Sequence, residues 1–158
     1  MSPVETYIIF NLANSLYGVR SDDVLHVDML EHVTPVPNAH PALDGVVFSR
    51  GKVIPALNLR ARFGLEREPA TTRTRLIFLR WQGRTVALVV DSAREFRAIA
   101  ADSIRPIEEA LTGVEGNYLR GLATVKDRLV LLLDIAAVLD LSPVELPEEA
   151  VAEMPASP

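Results

Sequence analysis

The sequence predicts an all-β protein made of two small, closed or nearly closed barrels that pack on each other. Three observations carry this. Val, Ile and Leu gather in runs of four to seven residues separated by Gly, Asn, Asp and Pro, the pattern of short strands and tight turns. Helical spacing is confined to two brief stretches. And the stretch LDGVVFSRGKVIPALNLRARFGL, Leu43 to Leu65, returns in form and without a gap as LRGLATVKDRLVLLLDIAAVLDL, Leu119 to Leu141, 76 positions later.

Taken in order, the runs place strands at 7–12, 16–20, 24–27, 46–49, 52–57, 76–81, 85–90, 96–99, 121–125 and 129–133. Asn14-Ser15 and Gln82-Gly83-Arg84 separate paired runs and read as hairpin turns, as do Arg50-Gly51 and Lys126-Asp127 within the repeat. LRARFGL after Asn58 and IAAVLDL after Asp134 each suit one or two helical turns, with Asn58 and Asp134 as N-caps, because a short polar side chain there can accept from a free N–H of the first turn.

Identity across the repeat is limited to Leu43/Leu119, Gly45/Gly121, Leu57/Leu133 and Leu65/Leu141. Positional chemistry extends it. Basic residues flank the turn (Arg50/Lys126, Lys52/Arg128), Val53/Leu129 and Ile54/Val130 open what reads as a buried strand, and Leu59/Ile135 with Phe63/Leu139 sit four apart on the helical turn. Upstream, YIIFNLANSLYGV and RLIFLRWQGRTVALVV are similar hairpins. Each half is thus a hairpin, a connection, a second hairpin and a helical turn, giving subdomains at about 1–65 and 76–141 joined by the polar linker 66–75. Barrels of this size have marginal cores alone, so they are expected to pack together, with the groove between them as the natural partner surface.

Beyond 141 the composition changes. SPVELPEEAVAEMPASP holds four prolines and four glutamates with no Lys or Arg, the make-up of a disordered acidic segment, with a short helix over 147–154 as the alternative. The chain has no cysteine and a net charge of −5, so disulfides and thiolate metal sites are excluded and nucleic acid or anionic lipid is a poor main partner. The apolar runs are too short for a signal peptide or a membrane span, which leads to the expectation of a cytoplasmic protein without direct membrane insertion.

No P-loop, dinucleotide fingerprint or nucleophile elbow occurs. His26, His32 and His40 are spaced for neither one helix face nor one strand, so no metal site is expected. Asp22-Asp23 suits a turn, Asp91 and Glu95 straddle a strand break, and DSIRPIEEAL reads as a capped turn followed by a loop. No catalytic residue, cofactor site or enzymatic activity is expected.

The same stretches carry a family resemblance. LDGVVFSRGKVIPALNLRARFGL is similar to the segment of CheW-type coupling proteins that usually reads apolar, x, Gly, three mostly apolar positions, Leu-Arg-Gly, an apolar pair or triplet, Pro, and a run ending in Asp-Leu-Arg. ALVVDSAREF resembles the family's apolar run followed by Val-Asp, and YLRGLATVKDRLVLLLDIAAVL its closing segment. The resemblance covers about Tyr7 to Leu141. It implies two five-stranded SH3-like barrels and a non-enzymatic adaptor that links the cytoplasmic tips of methyl-accepting chemoreceptors to the regulatory domain of a CheA-type histidine kinase, at the inner face of the membrane. It also implies partner contacts at Arg50 and Gly51, with neighbouring Phe48, and at Val24, His26 and Val27, the segment after Tyr17-Gly18-Val19. Here the chain has its own residues: His26 where the family commonly has Glu, Phe48-Ser49 before Arg-Gly where it often has Asn-Leu, and Asn58 for the usual Asp. The alternatives are a small-molecule sensor or enzyme using the inter-barrel groove, and a CheW-like regulator of another process.

Overall fold

The structure is a computed structural model that describes residues 3–107 and 118–141. The acidic segment 142–158, with the helix considered over 147–154, and the last four residues of DSIRPIEEAL lie outside the described residues.

Ten strands form where the apolar runs fall: β1 (Val4–Leu12), β2 (Ser15–Arg20), β3 (Val24–Met29), β4 (Leu43–Ser49), β5 (Lys52–Asn58), β6 (Arg75–Trp81), β7 (Arg84–Val90), β8 (Ser92–Ala100), β9 (Leu119–Val125) and β10 (Arg128–Leu133). Two short helices, α1 (Leu59–Arg62) and α2 (Ile135–Leu139), follow β5 and β10. Their caps are those expected, since Asn58 Oδ1 accepts from Ala61 N at 3.0 Å and Asp134 Oδ1 from Ala137 N at 3.3 Å.

The four β-hairpins turn on Ala13-Asn14, Arg50-Gly51, Gln82-Gly83 and Lys126-Asp127, with φ above zero at all eight positions. That is the type I′ geometry whose twist matches the flanking strands. The first turn lies one residue earlier than the expected Asn14-Ser15, because Leu12 pairs with Ser15 and Ser15 is drawn into the ladder.

The strands make two five-stranded sheets, ordered β8-β1-β2-β10-β9 and β3-β6-β7-β5-β4. The sheets do not follow the two halves of the chain. Each half sends its leading hairpin into the other's sheet, where β2 pairs in parallel with β10 and β7 in parallel with β5. The linker 66–75 therefore separates the repeats in sequence but not the two barrels in space. The physical reason is burial. β1, β2, β6 and β7 are apolar on both faces, so each leading hairpin needs a barrel interior on one side and the opposite barrel on the other.

Three apolar clusters reflect this. Tyr7, Ile9, Leu16, Val130 and Leu132 fill the first barrel, and Val47, Ile54, Ala56, Phe78 and Val89 fill the second. The largest lies between them, where Ile8, Phe10, Leu12, Tyr17 and Val19 meet Leu57, Ile77, Leu79, Leu88, Val90 and Leu133. The expected inter-barrel groove is thus mostly a filled core. Arg62 ties it: buried between α1 and α2, its guanidinium donates to the carbonyls of Val138 (2.7 Å), Ala137 (3.1 Å) and Asp140 (2.6 Å) and lies 4.8 Å from the Tyr118 ring centroid. A cation is well placed there, because the last carbonyls of a helix lack intrahelical partners.

Among the described residues, each barrel is closed by one isolated bridge, the two meeting β4 and β9 at matching positions. Thr34 pairs with Val46, each N–H donating to the other carbonyl at 2.8 Å, and Arg105 pairs with Leu122 at 2.8 and 2.9 Å. The repeated glycine lies under this bridge. A Cβ on Gly45, whose φ is +141°, would sit 2.0 Å from Thr34 O, and one on Gly121 would sit 2.7 Å from Ile104 Cγ2 and 3.0 Å from Arg105 O. Gly45→Ala is therefore expected to cost about 2–4 kcal/mol in urea denaturation, combining backbone strain with overpacking. Gly51→Ala, with open space around it at φ +79°, should cost only about 1 kcal/mol. Equal losses would argue against the closure role of Gly45.

Candidate partner-binding surface

The outer face of hairpin β4–β5 is an apolar ladder running out of the core. Its rungs are the cross-strand pairs Leu43/Leu57, Val46/Pro55 and Phe48/Val53. Leu57 is buried in the inter-barrel core, Pro55 is half-buried, and Phe48 and Val53 are 75% and 66% exposed. Arg50 and Gly51 form the exposed turn at the tip. Val53 and its counterpart Leu129, 55% exposed, correct the expectation that both open a buried strand. In this register Ile54 and Val130 take the inward positions, which turns the residues before them to solvent. On the equivalent β9–β10 hairpin the outer rung is Thr124/Leu129 and the turn is Lys126-Asp127, so only the first copy ends in a fully apolar rung beside an arginine.

Next to this hairpin, β3 brings His26 into register with Phe78 on β6. The imidazole stacks on the Phe78 ring, with centroids 4.2 Å apart and planes 16° from parallel. Its Nε2 is buried with no hydrogen-bond partner among the described residues. Burial pushes the His26 pKa below its ordinary value, the Arg50 charge pushes it the same way, and Asp28 opposes them. A small cavity of about 210 Å³ opens beside it, lined by Asp28, Met29, Phe48, Ser49 and Phe78 among others.

A larger groove of about 1080 Å³ remains where the inter-barrel core reaches the surface. Leu43, Pro55 and Leu57 of β4–β5, Trp81 and Val86 of β6–β7, Leu139 of α2 and Leu141 after it line the groove, together with exposed Gln82, Arg84 and Asp140.

Comparison with known proteins fits this double-barrel geometry. The family model described as CheW-like domain matches residues 6–142. The chain belongs to the CheW-like domain family. It is similar to Chemotaxis protein CheW of Klebsiella aerogenes, 30% identical over 135 residues covering 85% of this chain and 81% of that one. It is also similar to Chemotaxis protein CheW of Bacillus subtilis, 26% identical over 136 residues, with 86% and 87% covered. Among solved structures, scaffolding protein TtCheW from Thermoanaerobacter tengcongensis superposes with a TM-score of 0.80 at 26% identity, covering 92% of this chain and 93% of that chain.

Within this CheW-like domain, the six residues singled out from sequence separate into two groups. Arg50, Gly51, Phe48 and His26 gather around the β4–β5 tip and the adjacent edge of β3, while Val24 and Val27 turn their side chains against the inter-barrel core. Asp91, conspicuous in the sequence, is structural. It takes a bidentate hydrogen bond from Arg60, with Nε to Oδ1 at 2.9 Å and Nη2 to Oδ2 at 2.7 Å, and another from Ala13 N at 2.9 Å. Burial alone would raise its pKa, but these bonds and the Arg60 charge hold it below the ordinary value. Glu95 likewise pairs with Arg97 at 2.6 Å. Among the described residues no group of acidic or histidine side chains could hold a metal ion, and no helix is long and apolar enough to cross a membrane. The sequence reading missed Val53, Trp81, Arg84 and Leu141, since nothing in an apolar run marks which residues the barrel contact will leave uncovered.

The His26 environment has a pH consequence. The folded ring resists a proton that the unfolded chain accepts near 6.5, so the stability its neutral form contributes is present above 6.5 and is lost as pH falls from there through the depressed folded value. In chemical denaturation followed against pH, the wild-type protein should lose stability below 6.5 more steeply than His26→Phe, which keeps the stack on Phe78 without the titrating group. Parallel profiles would contradict this.

Proposed function

We propose that this CheW-like domain is a non-catalytic signalling adaptor that couples the cytoplasmic tips of chemoreceptors to the regulatory domain of a CheA-type histidine kinase. The observation that carries the reading is the β4–β5 ladder, a continuous apolar surface that leaves the core and ends at Arg50. An exposed Phe48/Val53 rung beside a cation is the chemistry of a protein contact. The aromatic ring and the valine supply buried area, while the planar guanidinium can hold a partner carboxylate through two hydrogen bonds. The inter-barrel groove, walled by leucines and Trp81, has the apolar lining that receives an amphipathic helix from a partner. Contacts of this kind pass on a signal by binding two partner states with different affinity, without chemistry on a substrate.

The similar proteins agree with this role, since TtCheW is a scaffolding protein and the Klebsiella aerogenes and Bacillus subtilis relatives are chemotaxis proteins. A sensor or enzyme would instead need polar groups converging in an enclosed site, whereas Gln82, Arg84 and Asp140 stand exposed in the groove lining.

Arg50→Glu is expected to weaken binding to a kinase regulatory domain or a receptor-tip fragment, read by calorimetric titration, while stability stays within about 1 kcal/mol, as usual for an exposed position. Unchanged affinity for both fragments would overturn the assignment of Arg50.

A further inference from the structure

His26 lies where two features of the site meet. Its ring stacks on Phe78, and Phe78, Phe48 and Ser49 together line the small cavity beside the β4–β5 tip. We propose that partner binding at this tip takes up a proton on His26, so that the contact tightens as the surroundings become more acidic. The inference rests on the adaptor reading, in which a partner carboxylate meets Arg50.

In the free protein the fold holds the ring neutral. Stacking on Phe78 takes one face of the imidazole out of water, and Nε2 is buried with no hydrogen-bond partner among the described residues. A protonated imidazole carries an N–H on both nitrogens, and a buried donor without an acceptor is costly. The charged groups around the ring come from three sides. From β4–β5 they are Arg50 and exposed Lys52, the cross-strand partner of Ser49. From β6 they are exposed Arg80 and Arg75, whose guanidinium donates to the carbonyls of Thr72 and Thr74. From β3 and the segment after it come Asp28 and the cavity residues Glu31 and His32. Arg50 and Asp28 are the two that act on the ring, Arg50 the more strongly. Among the described residues, Arg50 makes no ion pair of its own.

A bound carboxylate reverses the balance. Once it neutralises Arg50, the charge that opposes the imidazolium is cancelled, while Asp28, which favours it, stays. Cover by the partner adds little burial at Nε2, because that atom is already out of water. The bound ring therefore keeps a proton that the free ring gives up. By linkage, affinity rises toward the condition in which the complex holds more protons than the separate molecules. At high pH the ring is neutral in both forms and affinity is flat. As pH falls through the bound value toward the lower free one, affinity climbs, by about tenfold for each pH unit between the two. A partner that set a lysine or arginine against the tip would show the opposite dependence.

Two measurements on the full chain test this. Nuclear magnetic resonance titration of the His26 ring in the free protein compares wild type with Arg50→Glu, which puts a carboxylate where the guanidinium was. The variant should titrate at higher pH. Calorimetric titrations with a kinase regulatory domain and a receptor-tip fragment then run from about pH 8 to about pH 5.5, a range that spans the ordinary histidine value, in buffers of different ionisation enthalpy. Wild type should take up protons on binding and bind more tightly as pH falls. His26→Phe, which keeps the stack on Phe78, should lose both effects although His32 and His40 remain. An unmoved His26 titration in Arg50→Glu, or the same pH dependence in His26→Phe as in wild type, would overturn the inference and leave the adaptor reading standing. No binding of either fragment at any pH would overturn the adaptor reading and the inference with it.

Discussion

Hairpins β1–β2 and β6–β7 carry apolar side chains on both faces, and one half of the chain alone cannot bury both. The first face of β6–β7, with Phe78 and Val89, fills a barrel built mainly from the first half, and the second, with Ile77, Leu79, Leu88 and Val90, meets the opposite barrel. The mirror arrangement holds for β1–β2. Reciprocal exchange of these hairpins satisfies all four faces at once. It makes the inter-barrel contact the largest core in the molecule and spares either barrel from standing on a marginal core of its own. Arg62 secures the same contact through the carbonyls at the end of α2.

Seen this way, the sparse identities of the repeat have separate physical causes. Gly45 and Gly121 give room to the bridges that close the two barrels. Leu57 and Leu133 are the points at which β5 and β10 enter the inter-barrel core, and Leu43, Leu119, Leu65 and Leu141 pack around it. All four pairs serve the architecture, and Leu43, Leu57 and Leu141 also line the groove. What differs between the copies lies at the hairpin tips, where closure makes no demand: Phe48 against Thr124, and Arg50-Gly51 against Lys126-Asp127. Architecture has kept the copies alike in the core and left the tips open to specialisation.

Much of this was legible in the sequence. Strand positions, three of the four turns, both helix caps and the double-barrel class follow from local chemistry, because apolar runs, turn residues and caps act within a few positions of one another. The pairing of β2 with β10 and β7 with β5 did not follow. A repeat in sequence says that two units are alike, and says nothing about which unit receives which hairpin. The buried reading of Val53 and Leu129 failed for a related reason, since β10 is almost wholly apolar from Leu129 to Leu133 and alternation cannot be read from an unbroken run. At the candidate site, Arg50, Phe48 and His26 were accessible through the family resemblance, whereas the groove residues Trp81 and Arg84 come together only through the exchange.

The exchange also joins structure to role. It holds the β4–β5 ladder and the groove on one rigid unit, so that a partner engaging both meets a fixed geometry. The most direct check is whether the barrels unfold together. Trp81 fluorescence reports the second sheet, and amide hydrogen exchange of Leu122, Ala123 and Leu131 reports the first. Across a urea titration the two probes should follow one transition with a common midpoint, as expected of a single cooperative unit. Separate midpoints, with one sheet exchanging while the other keeps its fluorescence, would contradict a fold held together by exchanged hairpins.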